Sequence, residues 1–261
     1  MANNEVSTNR ESWDKRAAEH FDSAFYDVDG FLAGKSSLNE PELALLPDLK
    51  GKRLLHLQCH FGLDTLSFAR AGASATGIDF SAQAVEQART LQQKTGLDAT
   101  FICSDVLDQP FLSEHPDLQQ KFDLVFTSYG AIEWLNDIQR WANIVAEHLK
   151  PGGQFTLVEF HPFYYSSQGE PYFYKEQPDF IEEVSYTENA TETLPLYVWT
   201  HPVSTVINAL ITAGLQINTM QEYPWSPYNC FEGLIEIQPG RFATPEQQIP
   251  LMYAITATKP G

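Results

Sequence analysis

Two apolar periods alternate along the middle of the chain. Arg53–Gln58 (RLLHLQ) is a short apolar run without helical spacing, which predicts a buried strand. Leu63–Ala71 predicts a helix stopped by Gly72, and Ser74–Asp79 (SATGID) predicts a second strand. Ser81 stands where a helix cap belongs, and Ala84, Val85, Ala88 and Leu91 keep to one face behind it. Ala99–Cys103 predicts a third strand and Asp123–Thr127 (DLVFT) a fourth. Ile138, Trp141, Ala142, Val145 and Leu149 recur at three- and four-residue steps, the clearest helical pattern in the sequence. The run KPGG at 150–153 stops that helix, and Gln154–Phe160 (QFTLVEF) predicts the fifth strand. Val203, Val206, Ile207, Leu210 and Ile211 mark one more helix, closed by Gly214. Leu215–Glu222 and Leu251–Thr258 predict two final strands.

Strands alternating with helices over short connections imply an α/β fold: a doubly wound, mostly parallel seven-stranded sheet with helices on both faces. Residues 51–160 form its core, and residues 201–261 supply the last helix and strands. Two stretches escape the pattern. Residues 1–50 show only short helical pieces, around Trp13–Phe21 and Pro41–Leu46. Residues 161–200 hold Phe163, Tyr164, Tyr165, Tyr172, Phe173 and Tyr174 among several prolines, too aromatic for a linker. Both are expected to pack as lids over a site on the sheet, with Trp13–Phe31 and Phe163–Trp199 closing over it.

Composition narrows the function. Hydrophobic residues make up 43% and charged residues 19%, as in a globular chain. No stretch reaches the ~20 apolar residues of a membrane helix. The polar start MANNEVSTNRESWDKR lacks a signal peptide's apolar core, so a cytoplasmic protein is expected. Cys59, Cys103 and Cys230 are scattered, which argues against a disulfide framework or a four-cysteine zinc site. The formal charge is -18, from 34 acidic against 16 basic residues. Such a surface repels phosphate backbones, so a nucleic-acid partner is not expected.

Ligands of doubly wound sheets bind beyond the carboxyl ends of the strands. The residues there are His60-Phe61-Gly62, Asp79-Phe80-Ser81, Ser104-Asp105-Val106 and Ser128-Tyr129-Gly130. Asp79 lies about twenty residues beyond the first turn, where a carboxylate can accept from both hydroxyls of a ribose. Asp105 can accept from an adenine amino group, and Phe80 and Val106 can pack on the faces of the base. Gly62 lets the backbone approach a ligand and opens a helix whose N-terminus favours a carboxylate. Ser104, Ser128 and Tyr129 complete the edge. The implied ligand carries ribose, adenine and a carboxylate. It need not carry a pyrophosphate, because the G-x-G-x-x-G run is missing. His56, Cys59 and His60 do not make a metal site, since two of them sit on or beside a buried strand and no second ligand pair follows. Trp141 is expected in the core, whereas Trp134 can be core or substrate platform. His161 and His201 can be plain hydrogen-bonded histidines.

The order LLHLQCHFGLDTLSFARAGASATGIDFS, FICSDV, FDLVFTSYGAIEWL and LKPGGQFTLVEFHP resembles the motifs of the class I S-adenosylmethionine (SAM)-dependent methyltransferases. The resemblance covers roughly residues 52–161. It is nearest to a group of bacterial enzymes with a WDxRA-type start and an LQCHFG first motif. It implies a Rossmann-like methyltransferase fold, SAM as cofactor, S-adenosylhomocysteine as product and a small-molecule acceptor. The chain departs from the family's acid–x–Gly–x–Gly–x–Gly loop. His56 stands at the acid, Gln58 and His60 replace two glycines, and only Gly62 remains. Either the loop runs differently, or the Gln58 and His60 side chains hold the methionine end. Asp64, opening the next helix, can replace the missing acid as partner of the SAM amino group.

Methyl transfer needs alignment and exclusion of water, and a general base only where the nucleophile holds a proton. His161 is the first candidate base, followed by Glu159 and Tyr129. Two rival readings share the strand-end chemistry: an NAD(P)-dependent oxidoreductase, which would require the glycine-rich loop, and a SAM-binding protein without turnover.

Overall fold

The computed structural model describes residues 2–108 and 121–261. Its strands are β1 (Arg53–Leu57), β2 (Ser74–Asp79), β3 (Ala99–Cys103), β4 (Phe122–Ser128), β5 (Leu149–Phe160), β6 (Asp179–Val184), β7 (Thr193–Val198), β8 (Gln216–Tyr223), β9 (Ile235–Gln238), β10 (Arg241–Ala243) and β11 (Met252–Thr258). Seven of them form one sheet in the order β3-β2-β1-β4-β5-β11-β8. The first five are parallel, and β11 runs antiparallel to both neighbours. The chain winds outward from β1 on one side and from β4 on the other. The crevice between β1 and β4 is therefore the switch point where a doubly wound sheet takes its ligand.

The local chemistry explains the elements. β1 is buried at Leu54, Leu55 and Leu57 because helices cover both faces of the sheet. Helix α1 spans Ala2–Phe21, α2 Val28–Leu32, α3 Glu40–Leu45, α4 Leu63–Arg70 and α5 Ala82–Thr95. Ser81 caps α5, its hydroxyl accepting from the Ala84 amide at 3.1 Å, and Gly96 ends that helix at φ 65°. Helix α6 (Ile138–His148) begins at Asp137, which accepts from the Arg140 amide at 2.9 Å. It lays Trp141 edge-on to Phe155 of β5, with ring centres 5.5 Å apart. α7 (Phe163–Ser167) and α8 (Val203–Thr212) complete the helices.

Two departures from the sequence reading have physical causes. The N-terminal helix is a continuous 20 residues, not a short piece. Its inner face is polar and so shows no apolar period. Asn9 donates to Tyr197 O at 2.8 Å and accepts from Tyr197 N at 2.7 Å, while Ser12 donates to Pro195 O at 2.7 Å. These side chains satisfy the open edge of β7, as a neighbouring strand would. The stretch after Phe160 is likewise structured, as α7 and the antiparallel β6–β7 hairpin. A second hairpin, β9–β10, was not anticipated, although Pro239-Gly240 marks its turn, with Gly240 at φ 70°.

Candidate active site

One continuous cavity of about 1080 Å³ lies beyond the carboxyl ends of β1, β2, β3, β4 and β5. Gln58, His60, Gly62, Asp64, Asp79, Phe80, Ser104, Asp105, Val106, Ser128 and Tyr129 all line it. Every residue expected at a cofactor site thus lines this cavity.

The first loop keeps a glycine-like path without the glycines. Gln58 and His60 both hold left-handed backbone conformations, at φ 58° and 51°, and Gly62 follows at 81°. The loop is pinned by Asp79, whose two carboxylate oxygens accept from the His60 amide at 2.8 Å and the Ser81 amide at 2.9 Å. Gln58 donates through Nε2 to Ala131 O, which ties the loop to the segment after β4, and its Oε1 is buried without a partner. Gly62 is explained by packing as well as by φ, because a Cβ there would fall 2.5 Å from the Phe101 ring.

Left-handed backbone costs a non-glycine residue roughly 1–2 kcal/mol. Glycine at position 58 is therefore expected to give a more stable protein than alanine by about 1 kcal/mol, the reverse of the usual order. Urea denaturation of Gln58→Gly and Gln58→Ala measures the difference. Alanine equal to or better than glycine would show that the loop carries no strain at this position.

The acids on this wall are displaced upward, chiefly by burial. Asp64 accepts from the Ser37 hydroxyl at 2.6 Å, and its pKa is pushed up to about 6. Asp79 is likewise pushed up to about 6, against the pull of its amide donors. Asp105 is raised by burial while it accepts from the Leu107 amide at 2.9 Å. Behind them Glu42 is wholly buried and pushed up to about 7, first by burial and then by the charge of Asp64. Tyr129, at φ 44°, turns its hydroxyl towards Glu42, and neither group is in a hydrogen bond of good geometry. His56 fills the position of the family's acid. It bonds Thr65 Oγ1 at 2.9 Å and is held neutral by burial, its pKa lowered to about 3.

The three candidate bases separate. Glu159 lines the cavity, but its carboxylate is spent on backbone. It accepts from the amides of Gly130, of Ala131 at 2.9 Å, of Ile132 at 3.2 Å and of Phe160 at 2.6 Å. Tyr129 lines the cavity at its Glu42 side. His161 is not among the lining residues. Successive residues of a strand face opposite ways, and the ring of His161 pairs with Glu222 at 3.0 Å and accepts from the Phe163 amide at 3.0 Å. The structure thus places the first candidate base outside the site. His201 does line the cavity, with Nε2 2.8 Å from Leu135 O. Trp134 lines it too, its ring 5.3 Å from Trp13, while Trp141 is core. No group of three or more potential metal ligands occurs among the described residues.

The lid side of the cavity was only partly visible in sequence. Trp13, Arg16, Phe25 and Tyr26 come from the N-terminal segment, and Tyr164, Tyr165, Glu183, Tyr186 and Trp199 from the insertion. The start Trp13-Asp14-Lys15-Arg16-Ala17 now has a physical content. Trp13 faces the cavity, Asp14 accepts from Ser81 Oγ at 2.6 Å, and Arg16 reaches Glu183 at 3.0 Å. Ala17 is fully buried among the residues under α5. Sequence reasoning missed Glu133, a carboxylate between the apolar Ile132 and Trp134, and the stretch Tyr228–Glu232 that closes the far side.

Comparison with known proteins places the chain. Residues 54–153 match the model of a methyltransferase domain family. An uncharacterized protein of Haemophilus influenzae is 29% identical over 221 residues, which cover 76% of this chain and 85% of that protein. The ubiquinone biosynthesis O-methyltransferase of Klebsiella pneumoniae is 29% identical over 136 residues, 51% of this chain; the match spans about half (54%) of that enzyme. The crystal structure of a SAM-dependent methyltransferase from Mesorhizobium loti superposes with a TM-score of 0.57 at 22% identity, covering 87% of this chain and 99% of that one. Residues 54–153 thus match a methyltransferase domain, and the strand order is that of the fold shared with the SAM-dependent methyltransferase structures.

Proposed function

We propose that the chain transfers a methyl group from SAM to a small-molecule acceptor held under the lid. The observation that carries this reading is the continuity of the cavity. One end is walled by Asp79, Asp105 and Asp64, the other by the lid aromatics Trp13, Tyr165 and Tyr186. Its volume exceeds the ~300–1,000 Å³ typical of a site for one small ligand, leaving room for cofactor and acceptor together.

The wall fits the cofactor. Asp79 offers carboxylate oxygens to a ribose, and Asp105 an oxygen to an adenine amino group. Gln58 Oε1 is a buried acceptor lacking a donor. Asp64, with Glu42 behind it, supplies negative charge for an amino group and a sulfonium. When bound, SAM supplies an electrophilic methyl group. The residues of the chain hold the two reactants in line and exclude water. The acidic wall and the enclosed lid argue against a nucleic-acid acceptor. Among the described residues no helix is long and apolar enough to cross a membrane.

Calorimetric titration with SAM, S-adenosylhomocysteine and NAD, followed by labelled methyl transfer to a panel of small molecules, tests the reading. Binding of the two SAM species but not NAD, with label in a small product, is the expected result. Binding of NAD alone would overturn the cofactor. Binding of SAM without transfer to any small-molecule class would overturn the activity.

A further inference from the structure

Among the described carboxylates lining the cavity, Glu133 is the one that is not exposed and yet is left without work in the fold. It lies on the short turn Ile132–Trp134 beyond β4 and lines the cavity. Its backbone carbonyl accepts from the Trp199 amide at 2.9 Å, but its carboxylate makes no hydrogen bond or ion pair among the described residues. Oε1 lies 3.3 Å from where a Cβ on Gly130 would stand, so the carboxylate folds over the end of β4. Burial, then the charges of Glu159 and Glu183, push its pKa up to about 8. Glu159 is occupied by backbone amides and Glu183 by Arg16. Arg16 is the one Lys or Arg side chain among the described lining residues; it pairs with Glu183 through one terminal nitrogen, its Nε is buried without a partner, and its charge only partly offsets the rise at Glu133. The lining histidines His56, His60 and His201 are all lowered by burial, so they add no positive charge.

Aromatic rings share the chamber with this carboxylate. Tyr165 and Tyr186 both feel its charge, and Trp13, Trp134 and Trp199 line the same chamber. An aromatic wall and an unpaired carboxylate form the chemistry that holds alkylammonium groups, through cation–π attraction and a charged hydrogen bond. The same wall carries more carboxylates than cations, so it disfavours a carboxylate or phosphate.

We propose that the acceptor is an alkyl amine, bound as its ammonium form with its nitrogen on the Glu133 carboxylate. This rests on the methyltransferase reading and names the substrate class of that same site. One N–H proton of the ammonium passes to the carboxylate. The lone pair so freed takes the methyl group, and the methylated nitrogen keeps the positive charge that the sulfonium gives up. Glu133 then returns its proton to solvent. A carboxylate whose proton affinity lies near neutrality suits both halves of that exchange.

The test compares phenethylamine with its neutral counterpart 2-phenylethanol and its anionic counterpart 3-phenylpropionate. Each is titrated into the full chain with and without S-adenosylhomocysteine, following the lid tryptophans by fluorescence. The amine is expected to bind at least tenfold more tightly than the alcohol, with no binding of the anion. Its affinity should rise between pH 6.5 and 8.5 as Glu133 ionises, the amine staying protonated because alkyl amines titrate near about 10. Arg16, Glu159, Glu183, Tyr165, Tyr186 and Cys230 face the same space, and of these the tyrosines and the cysteine are raised well clear of this window. Glu133→Gln should abolish the preference for amine over alcohol and flatten the pH profile, while leaving S-adenosylhomocysteine affinity unchanged. Equal affinity for amine and alcohol, preference for the anion, or an unaltered preference in Glu133→Gln would each overturn the proposal. A chain that binds S-adenosylhomocysteine but shows no amine preference loses this inference alone. A chain that binds no SAM species loses the methyltransferase reading, and the amine titration of the free chain still decides the role of Glu133.

Discussion

Replacing Asp79 with alanine is expected to destabilise the folded chain by about 2–4 kcal/mol and to weaken SAM binding by a further ~1–3 kcal/mol. Two separate duties account for the two effects. The carboxylate accepts from the amides of His60 and Ser81 at 2.8 and 2.9 Å, and it is buried. Removing it leaves two peptide donors inside the protein without partners, each costing roughly 1–3 kcal/mol. It also frees a loop held in left-handed conformations at Gln58 and His60, so the loop can relax away from the path it needs. The binding loss comes from the hydrogen bonds a ribose would otherwise make. Urea denaturation measures the first effect, and calorimetry at a temperature where the variant is fully folded measures the second. Asp79→Asn separates them, because the amide oxygen can keep one backbone donor while the charge is lost. Wild-type affinity in a folded Asp79→Ala protein would remove this residue from the cofactor site.

The parallel core was legible because its signals are local and apolar. The strand ends at Gln58, Asp79 and Ser128 follow from where apolar runs stop, and Asp79 and Asp105 fall on the cavity wall for that reason. What stayed hidden is polar or distant. The long N-terminal helix docks by Asn9 and Ser12 on backbone atoms of β7, nearly 190 residues away for Asn9, which leaves no hydrophobic period to detect. The backbone of Gln58 and His60 was hidden for a different reason. A side chain at a glycine position says that the loop has changed, whereas here the conformation is kept and the strain is tolerated. His161 illustrates the limit of position as a guide. It follows a strand that reaches the site, yet one residue of alternation turns it to Glu222. Glu133 is its counterpart: nothing in the spacing marked it, and only burial and the lack of partners single it out.

Between pH 7.5 and 8.5 the free chain should lose stability, by about 1 kcal/mol, as Glu133 and the remainder of Glu42 ionise. Both carboxyls are raised in the folded state, to about 7 and about 8, above the ordinary value of 4.5 that they have when unfolded. The folded chain therefore binds protons that the unfolded chain has released. Their stabilising effect is fully present below about pH 4 and is lost as pH rises through 7 and 8. Below about pH 7.5 a second set opposes them. His20 and His56 are lowered by burial to about 3, so acid favours the unfolded chain, which can protonate them. Above about pH 7.5 the histidines are neutral in both states, and the carboxyls are no longer opposed by them. Growing repulsion in a chain of formal charge -18 works in the same direction. Glu133→Gln should remove the larger share of the slope, and saturating SAM should reduce what remains, because a cation near Asp64 and Glu42 favours their ionised forms. Binding should then release protons at pH 6.5, detectable as a dependence of the calorimetric heat on the ionisation enthalpy of the buffer. Denaturation series at pH 7.5, 8.0 and 8.5 decide the matter. Stability that rises across this window, or proton uptake on binding, would mean that these acids are already ionised in the free protein and that the wall presents fixed charge rather than charge created by its ligand.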